Sequence, residues 1–132
     1  MSFLLDTYTL IWAFLSISKL SKSVTEILEN PRLDVYASVI NYWEISIKVE
    51  RGKLKLEGFL PEDLPELSKE MGLKTFRLDE KDASSFFKLN KNHHRDPFDR
   101  MLIWQAINNN YTLLTCDPEI KLYEQVGLKT FW

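Results

Sequence analysis

The sequence predicts a three-layer α/β fold: a mainly parallel five-stranded sheet flanked by helices, in a single domain over residues 1–132. Three observations predict it. Five short apolar stretches alternate with segments of helical periodicity, the pattern of strands joined by helical crossovers. Residues that suit helix N-caps (Asp6, Ser21, Ser38, Asp79, Asp96 and Asp117) stand ahead of the helical segments. A length of 132 residues suits one sizeable core.

Met1 to Leu5 is short and apolar and ends at Asp6, a buried strand turning into a helix. TYTLIWAFL places Leu10, Ile11, Phe14 and Leu15 at helical spacing. Ser21 precedes a second helix with Val24, Ile27 and Leu28 on one face, ended by Pro31. LDVYAS reads as a strand around Val35 and Tyr36. Ser38 caps a long helix with Ile40, Trp43, Ile47 and Arg51 on successive turns, stopped by Gly52. KLKLEGFL reads as a loop or a short hairpin-like excursion. Pro61 to Met71 is a helix ended by Gly72, LKTFRL a strand, and Asp79 caps a helix through about Leu89. NKNHHR is a polar loop, after which Asp96 opens a helix to about Asn109. YTLLT is a strand, Asp117-Pro118 starts one more helix, and GLKTFW is the last strand. LKTF occurs at residues 73–76 and 128–131, which reads as two similar short buried strands and not as a repeat.

Composition narrows the function. The apolar fraction is 45% and the charged fraction 27%, ordinary for a globular chain. No apolar run approaches the roughly 20 residues that span a bilayer, and the N-terminus carries Asp6 with no basic segment ahead of it, unlike a secretory signal. The single cysteine, Cys116, forms no intrachain disulfide, so a reducing, cytoplasmic setting is expected. A net charge of −2 argues against a protein that coats nucleic acid electrostatically, but not against an enzyme that cuts it.

In a parallel sheet, strand C-termini and helix N-termini share one edge, where ligands bind. Asp6 ends the first strand, Asp117 follows the fourth, and Asp96 and Asp99 lie in the first turn of the helix before it. Glu44 sits about two turns into the helix after the second strand. Carboxylates packed together repel unless a cation neutralises them. Hard oxygen ligands favour Mg²⁺ or Mn²⁺, which can orient a phosphate and activate water. The pattern points to metal-dependent phosphodiester hydrolysis. Each acid also has a plainer account: Asp6, Asp96 and Asp117 as N-caps, Asp99 as an acid beside the helix dipole, Glu44 as an i,i+4 partner of Lys48. The cap is favoured for Asp96. Glu44 leans toward the site, because an unpaired carboxylate among apolar neighbours is costly to desolvate.

The blocks MSFLLDTYTLIWAF, SVINYWEISIK, HRDPFDRMLIWQA and LLTCDPEIKLY, in that order, resemble the PIN-domain ribonucleases, and more narrowly VapC-type toxins of toxin–antitoxin pairs. The resemblance implies that Asp6, Glu44 and Asp99 are the three nearly obligatory metal-site acids and Asp117 the more variable fourth, with Asp96 outside the set. It implies an endoribonuclease using Mg²⁺ or Mn²⁺ that leaves 5′-phosphate and 3′-hydroxyl ends, a cognate antitoxin partner and a homodimer. Thr115 matches a hydroxyl residue near the site, and local hydrogen bonding is the role expected for it. Relatives usually carry D-T-H after the first strand. Tyr8 replaces that histidine, with effects expected on substrate contacts or helix packing more than on metal binding.

His93 and His94 suit a solvated loop more than a ligand set. Arg95 and Arg100 flank the acid edge, either steering phosphates or as surface charges. Lys48, Arg51, Lys53 and Lys55 form a basic run that reads as a solvated face, with a phosphate rim as the alternative. Trp12, Trp43, Trp104 and Trp132 suit core or interface positions. Cys116 is expected to be a buried, inert thiol. Exposed apolar residues between Leu54 and Leu67 would offer the antitoxin a groove. The rivals are a haloacid-dehalogenase-type phosphatase, whose D-x-D is missing at Asp6-Thr7-Tyr8, a response-regulator receiver, and a non-catalytic PIN-like scaffold.

Overall fold

A computed structural model describes residues 1–89 and 96–132. The polar loop with His93, His94 and Arg95 lies outside the described residues. The elements run β1 (Ser2–Leu5), α1 (Thr7–Leu15), α2 (Lys22–Glu29), β2 (Asp34–Ser38), α3 (Val39–Glu50), α4 (Leu64–Glu70), β3 (Lys74–Phe76), α5 (Glu80–Ser85), α6 (Pro97–Asn109), β4 (Thr112–Leu114), α7 (Pro118–Lys121) and β5 (Lys129–Phe131). The strands form one sheet in the order β3-β2-β1-β4-β5, and each pairing is parallel. This is the three-layer α/β architecture that the alternating pattern predicts.

Alternation along the strands builds the layers, because successive side chains face opposite sides of a sheet. Phe3, Leu5, Val35, Ala37 and Leu114 pack into one core with Leu10 and Ile11 of α1, Val24 of α2 and Leu64 of α4. Leu4 and Leu113 enter the other, with Leu102, Ile103 and Ala106 of α6, Ile120 and Tyr123. Helix α3 feeds both, Ile45 into the first and Ile40 into the second.

The chain fills one half of the sheet through β1, β2 and β3, then crosses back to place β4 on the other side of β1. That reversal makes a topological switch point between the C-terminal ends of β1 and β4, where such sheets open a crevice. Leu5 is in register with Leu114 there, and the Asp6 amide donates to the Leu114 carbonyl at 3.2 Å.

Several expectations change. Pro61–Asp63 is a 3₁₀ turn ahead of α4, because Pro65 has no N–H to continue an α-helical ladder back to Pro61. The Asp79-capped helix ends at Ser85 and tightens into a 3₁₀ turn over Phe86–Lys88. The stretch from Lys53 to Leu60 forms no helix or strand, but Leu54, Leu56 and Phe59 pack on the first core, Phe59 with its ring 5.8 Å from that of Phe14. Leu64 is buried too, leaving Leu60 as the exposed large apolar residue of the expected antitoxin groove. The two LKTF segments are the edge strands, not buried ones: Leu73 and Leu128 are buried just ahead of them, while Lys74 and Lys129 are exposed. Among the described residues no helix is long and apolar enough to cross a membrane.

Candidate metal centre

Each acid is delivered by a local rule. Asp6 caps α1: its Oδ1 accepts the Thr9 amide at 2.8 Å and the Thr9 hydroxyl at 2.5 Å. That hydroxyl is also 3.0 Å from the Leu114 carbonyl, which ties the β1 turn to β4 across the switch point. The Asp6 carboxyl is 6% exposed. Burial raises its pKa above the ordinary carboxylate range, the Asp117 charge adds to the rise, and the Thr115 and Thr9 hydroxyls and the Thr9 amide oppose it. Thr115 does the local bonding expected of it, and also accepts the Asp117 amide at 3.1 Å. Asp117 caps α7 through the Glu119 amide, 2.9 Å from its Oδ1.

Glu44 is set by a buried polar network that the sequence reading missed. Ser38 and Asn41 form a capping box: the Ser38 hydroxyl accepts the Ile40 amide at 3.0 Å, and Asn41 Oδ1 accepts the Ser38 amide at 2.7 Å. Asn41 then donates to the Leu5 carbonyl at 3.2 Å and to the Thr7 hydroxyl at 3.0 Å. The start of α3 is thus bolted to the turn that carries Asp6. Glu44 follows Asn41 on the next turn and is 2% exposed. Its Oε2 is 3.0 Å from the Lys48 ammonium, the i,i+4 pair expected of it. Its Oε1 is buried with no hydrogen-bond partner among the described residues.

Asp96 caps α6 as expected, with Oδ1 accepting the amides of Phe98 at 2.8 Å and Asp99 at 3.3 Å. It also does what the cap reading left out. One carboxylate oxygen each of Glu44, Asp96 and Asp99 lie within 4.8 Å of one another. The signal for this was the i,i+3 spacing of Asp96 and Asp99, which puts both on one helix face. Asp99 links this group to a second hollow. It joins Asp6, Asp117, Tyr8, Trp12 and Cys116 around a cavity of about 190 Å³. Glu44 and Asp96 line a cleft of about 490 Å³ with Lys48, Arg51, Lys53 and Phe98. Asp6 and Asp117 are outside the 4.8 Å group, so the acids read from the sequence fall into two sets that meet at Asp99.

The donors are all carboxylate oxygens, a hard set suited to Mg²⁺ or Mn²⁺, and one of them belongs to Glu44, whose buried Oε1 has no hydrogen-bond partner among the described residues. A buried anion left half-satisfied is costly unless a cation completes it. On both counts the residues fit a divalent ion.

Other placements depart from expectation. Tyr8, 53% exposed, lies beneath Lys48, whose ammonium is 4.5 Å from its ring centre and 3.4 Å from its hydroxyl. Arg100 is buried, donating to the Leu89 carbonyl at 3.3 Å with its guanidinium over the Phe86 ring, so it is no surface charge. Cys116 is exposed and not buried, lining the cavity after the turn out of β4; partial loss of solvent around the sulfur, with the Asp6 and Asp117 charges, raises its thiol pKa. Trp43 is 59% exposed and meets Phe98 edge-on at 5.2 Å, so it is not a core residue. Asp79 lies on a separate hollow with Glu80, Lys81 and Ser84, and the strand order departs from the 2-1-3-4-5 of receivers, which removes that rival.

Comparison with known proteins agrees with this fold. Residues 3–125 match the PIN domain family profile. Among curated proteins, none matches the sequence. Solved structures do. A chain of VapBC2 from Rickettsia felis, crystallised bound to a DNA fragment from its promoter, superposes with a TM-score of 0.73 at 18% identity, covering 99% of this chain and 98% of that one. VapBC-1 from nontypeable Haemophilus influenzae gives 0.70 at 18% identity, covering 99% and 97%. FitAcB from Neisseria gonorrhoeae gives 0.64 at 21% identity, covering 98% and 96%. At these identities the likeness is one of fold.

Proposed function

This chain belongs to the PIN domain family, and from that premise we propose that it is a divalent-metal-dependent endoribonuclease, the toxin of a toxin–antitoxin pair. The observation that carries the reading is Glu44: a carboxylate 2% exposed, with one oxygen unpartnered among the described residues, converging with Asp96 and Asp99 to within 4.8 Å. Glu44, Asp99 and Asp6 would hold Mg²⁺ or Mn²⁺, with Asp117 completing the site and Asp96 added to the set by its position. When bound, the ion supplies Lewis acidity to a phosphoryl oxygen and lowers the pKa of water.

The chain's own residues do the rest. Thr9 fixes the Asp6 carboxyl, and the Ser38–Asn41 box fixes the helix that carries Glu44. Lys48 neutralises one Glu44 oxygen, which lowers the repulsion among the acids without occupying the other. Burial raises the Asp6 pKa, and a bound cation would oppose that rise. The substrate is RNA, entering by the cleft between α3 and α6. The similar VapBC and FitAcB structures motivate the proposal of a cognate antitoxin, and a homodimer is part of the same reading.

The test incubates purified protein with structured and single-stranded RNAs in Mn²⁺ or Mg²⁺, beside EDTA and the Asp6→Asn and Glu44→Gln variants. Cleavage abolished by chelation and by both substitutions is expected. Cleavage that survives them overturns the metal reading. Absence of cleavage on all RNAs replaces the nuclease with a binding scaffold.

A further inference from the structure

The cleft beside the acid cluster has a second set of residues that metal chemistry does not use. Arg51 caps α3, and Gly52 follows in the left-handed region at φ 71°. The Gly52 amide donates to the Val49 carbonyl at 3.0 Å and the Lys53 amide to the Lys48 carbonyl at 2.8 Å. This is a Schellman turn, which folds the chain back over the last helical turn. It brings Lys53 beside Arg51 and Lys48 on one side of the cleft, and Leu54, packed on the core behind, anchors it. Lys48 is engaged by Glu44, whereas Arg51 and Lys53 are exposed and have no ion-pair partner among the described residues.

On the α6 side Pro97 and Phe98 line the cleft next to Asp96, and Trp43 of α3, just outside the lining, stands edge-on to Phe98 with more than half its surface in water. The helix dipole accounts for cations at the end of α3. It does not account for an exposed tryptophan one residue from Glu44, where solvation favours a polar side chain. Cations, an aromatic pair that reaches the cleft through Phe98, and the acids Glu44 and Asp96, gathered around one cleft of about 490 Å³, make the combination that takes a polynucleotide. Stacking on an aromatic needs an unpaired base, which selects a single strand over a duplex.

We infer that Arg51 and Lys53 hold the phosphates, and Trp43 with Phe98 stacks a base, of a single-stranded RNA segment led along the α3–α6 cleft to the acid cluster. The inference rests on the nuclease reading and names its positioning and specificity residues. Trp43 and Phe98 set which nucleotide sits beside the cut; Arg51 and Lys53 set affinity without regard to sequence.

The test separates binding from cutting. Fluorescence anisotropy of a labelled 12-nucleotide oligouridylate, and of a duplex of the same length, is measured in EDTA with full-length protein. Steady-state cleavage of the single strand is measured in Mn²⁺. Arg51→Gln with Lys53→Gln is expected to raise Kd and KM about ten-fold while kcat moves less than two-fold. It should also flatten the dependence of log K on log salt by roughly 1.4, for two single-strand phosphate contacts. Trp43→Leu is expected to weaken the single strand about five-fold or more and the duplex much less, with Trp43→Phe recovering most of the loss. Circular dichroism melts confirm that each variant is folded. Wild-type Kd, KM and salt slope in folded variants overturn the inference. So does a Trp43→Leu variant that binds RNA normally but changes its sedimentation, which makes this face a protein contact. A wild-type protein that binds the oligonucleotide but cuts no RNA with either metal refutes the nuclease reading and leaves the binding arms to judge the cleft.

Discussion

At the scale of single residues, two carboxylates set the behaviour of the site. Burial raises the Asp6 pKa, so the folded chain holds that proton more tightly than the unfolded one. Its contribution favours folding in acid and is lost as pH climbs from the unfolded value of about 4 through the raised folded one. Asp6→Asn keeps an acceptor for the Thr9 amide and removes the charge. In EDTA near neutral pH its melting temperature should equal or exceed that of the native chain, with a flatter pH profile, while the upward shift caused by Mn²⁺ disappears; a clear loss of stability in EDTA would contradict this account of Asp6. Glu44 is held differently, by its ion pair with Lys48. Lys48→Met strands a buried anion and should cost about 1–2 kcal/mol by urea denaturation, below the 3–5 of a fully buried pair because a quarter of the Lys48 side chain is exposed. Adding Glu44→Gln should restore most of that loss, and a double variant no more stable than Lys48→Met alone would deny the coupling. The Tyr8 that replaces the usual histidine holds this lysine by its ring face, an effect on packing that the sequence anticipated only in kind.

At the scale of elements, turns and caps decide where side chains go. Gly52 is the position where a left-handed backbone is required. Gly52→Ala has open space for its Cβ but strains the backbone, so it should cost about 1 kcal/mol, a few degrees of melting temperature. It should also weaken RNA binding by displacing Lys53, and a variant as stable as the native chain would show that the turn relaxes freely. Helix starts were legible because caps are local: Ser21, Ser38, Asp79, Asp96 and Asp117 each accept the amides their positions imply. What was not legible needed tertiary knowledge. A cap engages one carboxylate oxygen, so reading Asp96 as a cap did not exclude it from the cluster. Asn41 looked like an ordinary helix residue because the two groups its side chain donates to, Leu5 and Thr7, lie far away in sequence. Trp43 and Arg100 were misplaced for one reason: periodicity gives a helix face, but only packing tells which face is covered.

At the scale of the whole molecule, strand order places the site. Alternating elements gave the α/β class, but the crossing from β3 to β4 on the far side of β1 could not be read from them, and it creates the crevice between Asp6 and Asp117. The same order makes the KTF strands of both LKTF segments edges, each three residues long and each carrying an exposed lysine. Short charged edges resist growth of the sheet from chain to chain. Replacing Lys74 and Lys129 with valine should therefore raise light scattering of concentrated solutions at native pH; unchanged scattering would mean the edges are protected otherwise. The acids also divide mechanically. Asp6 and Asp117 hang from the strands, whereas Glu44, Asp96 and Asp99 ride on α3 and α6. An ion gripped by both sets rivets the helical layer to the sheet. Amide hydrogen exchange should then slow on addition of Mn²⁺ in the first turns of these two helices, while the central strands, already closed, keep their pace.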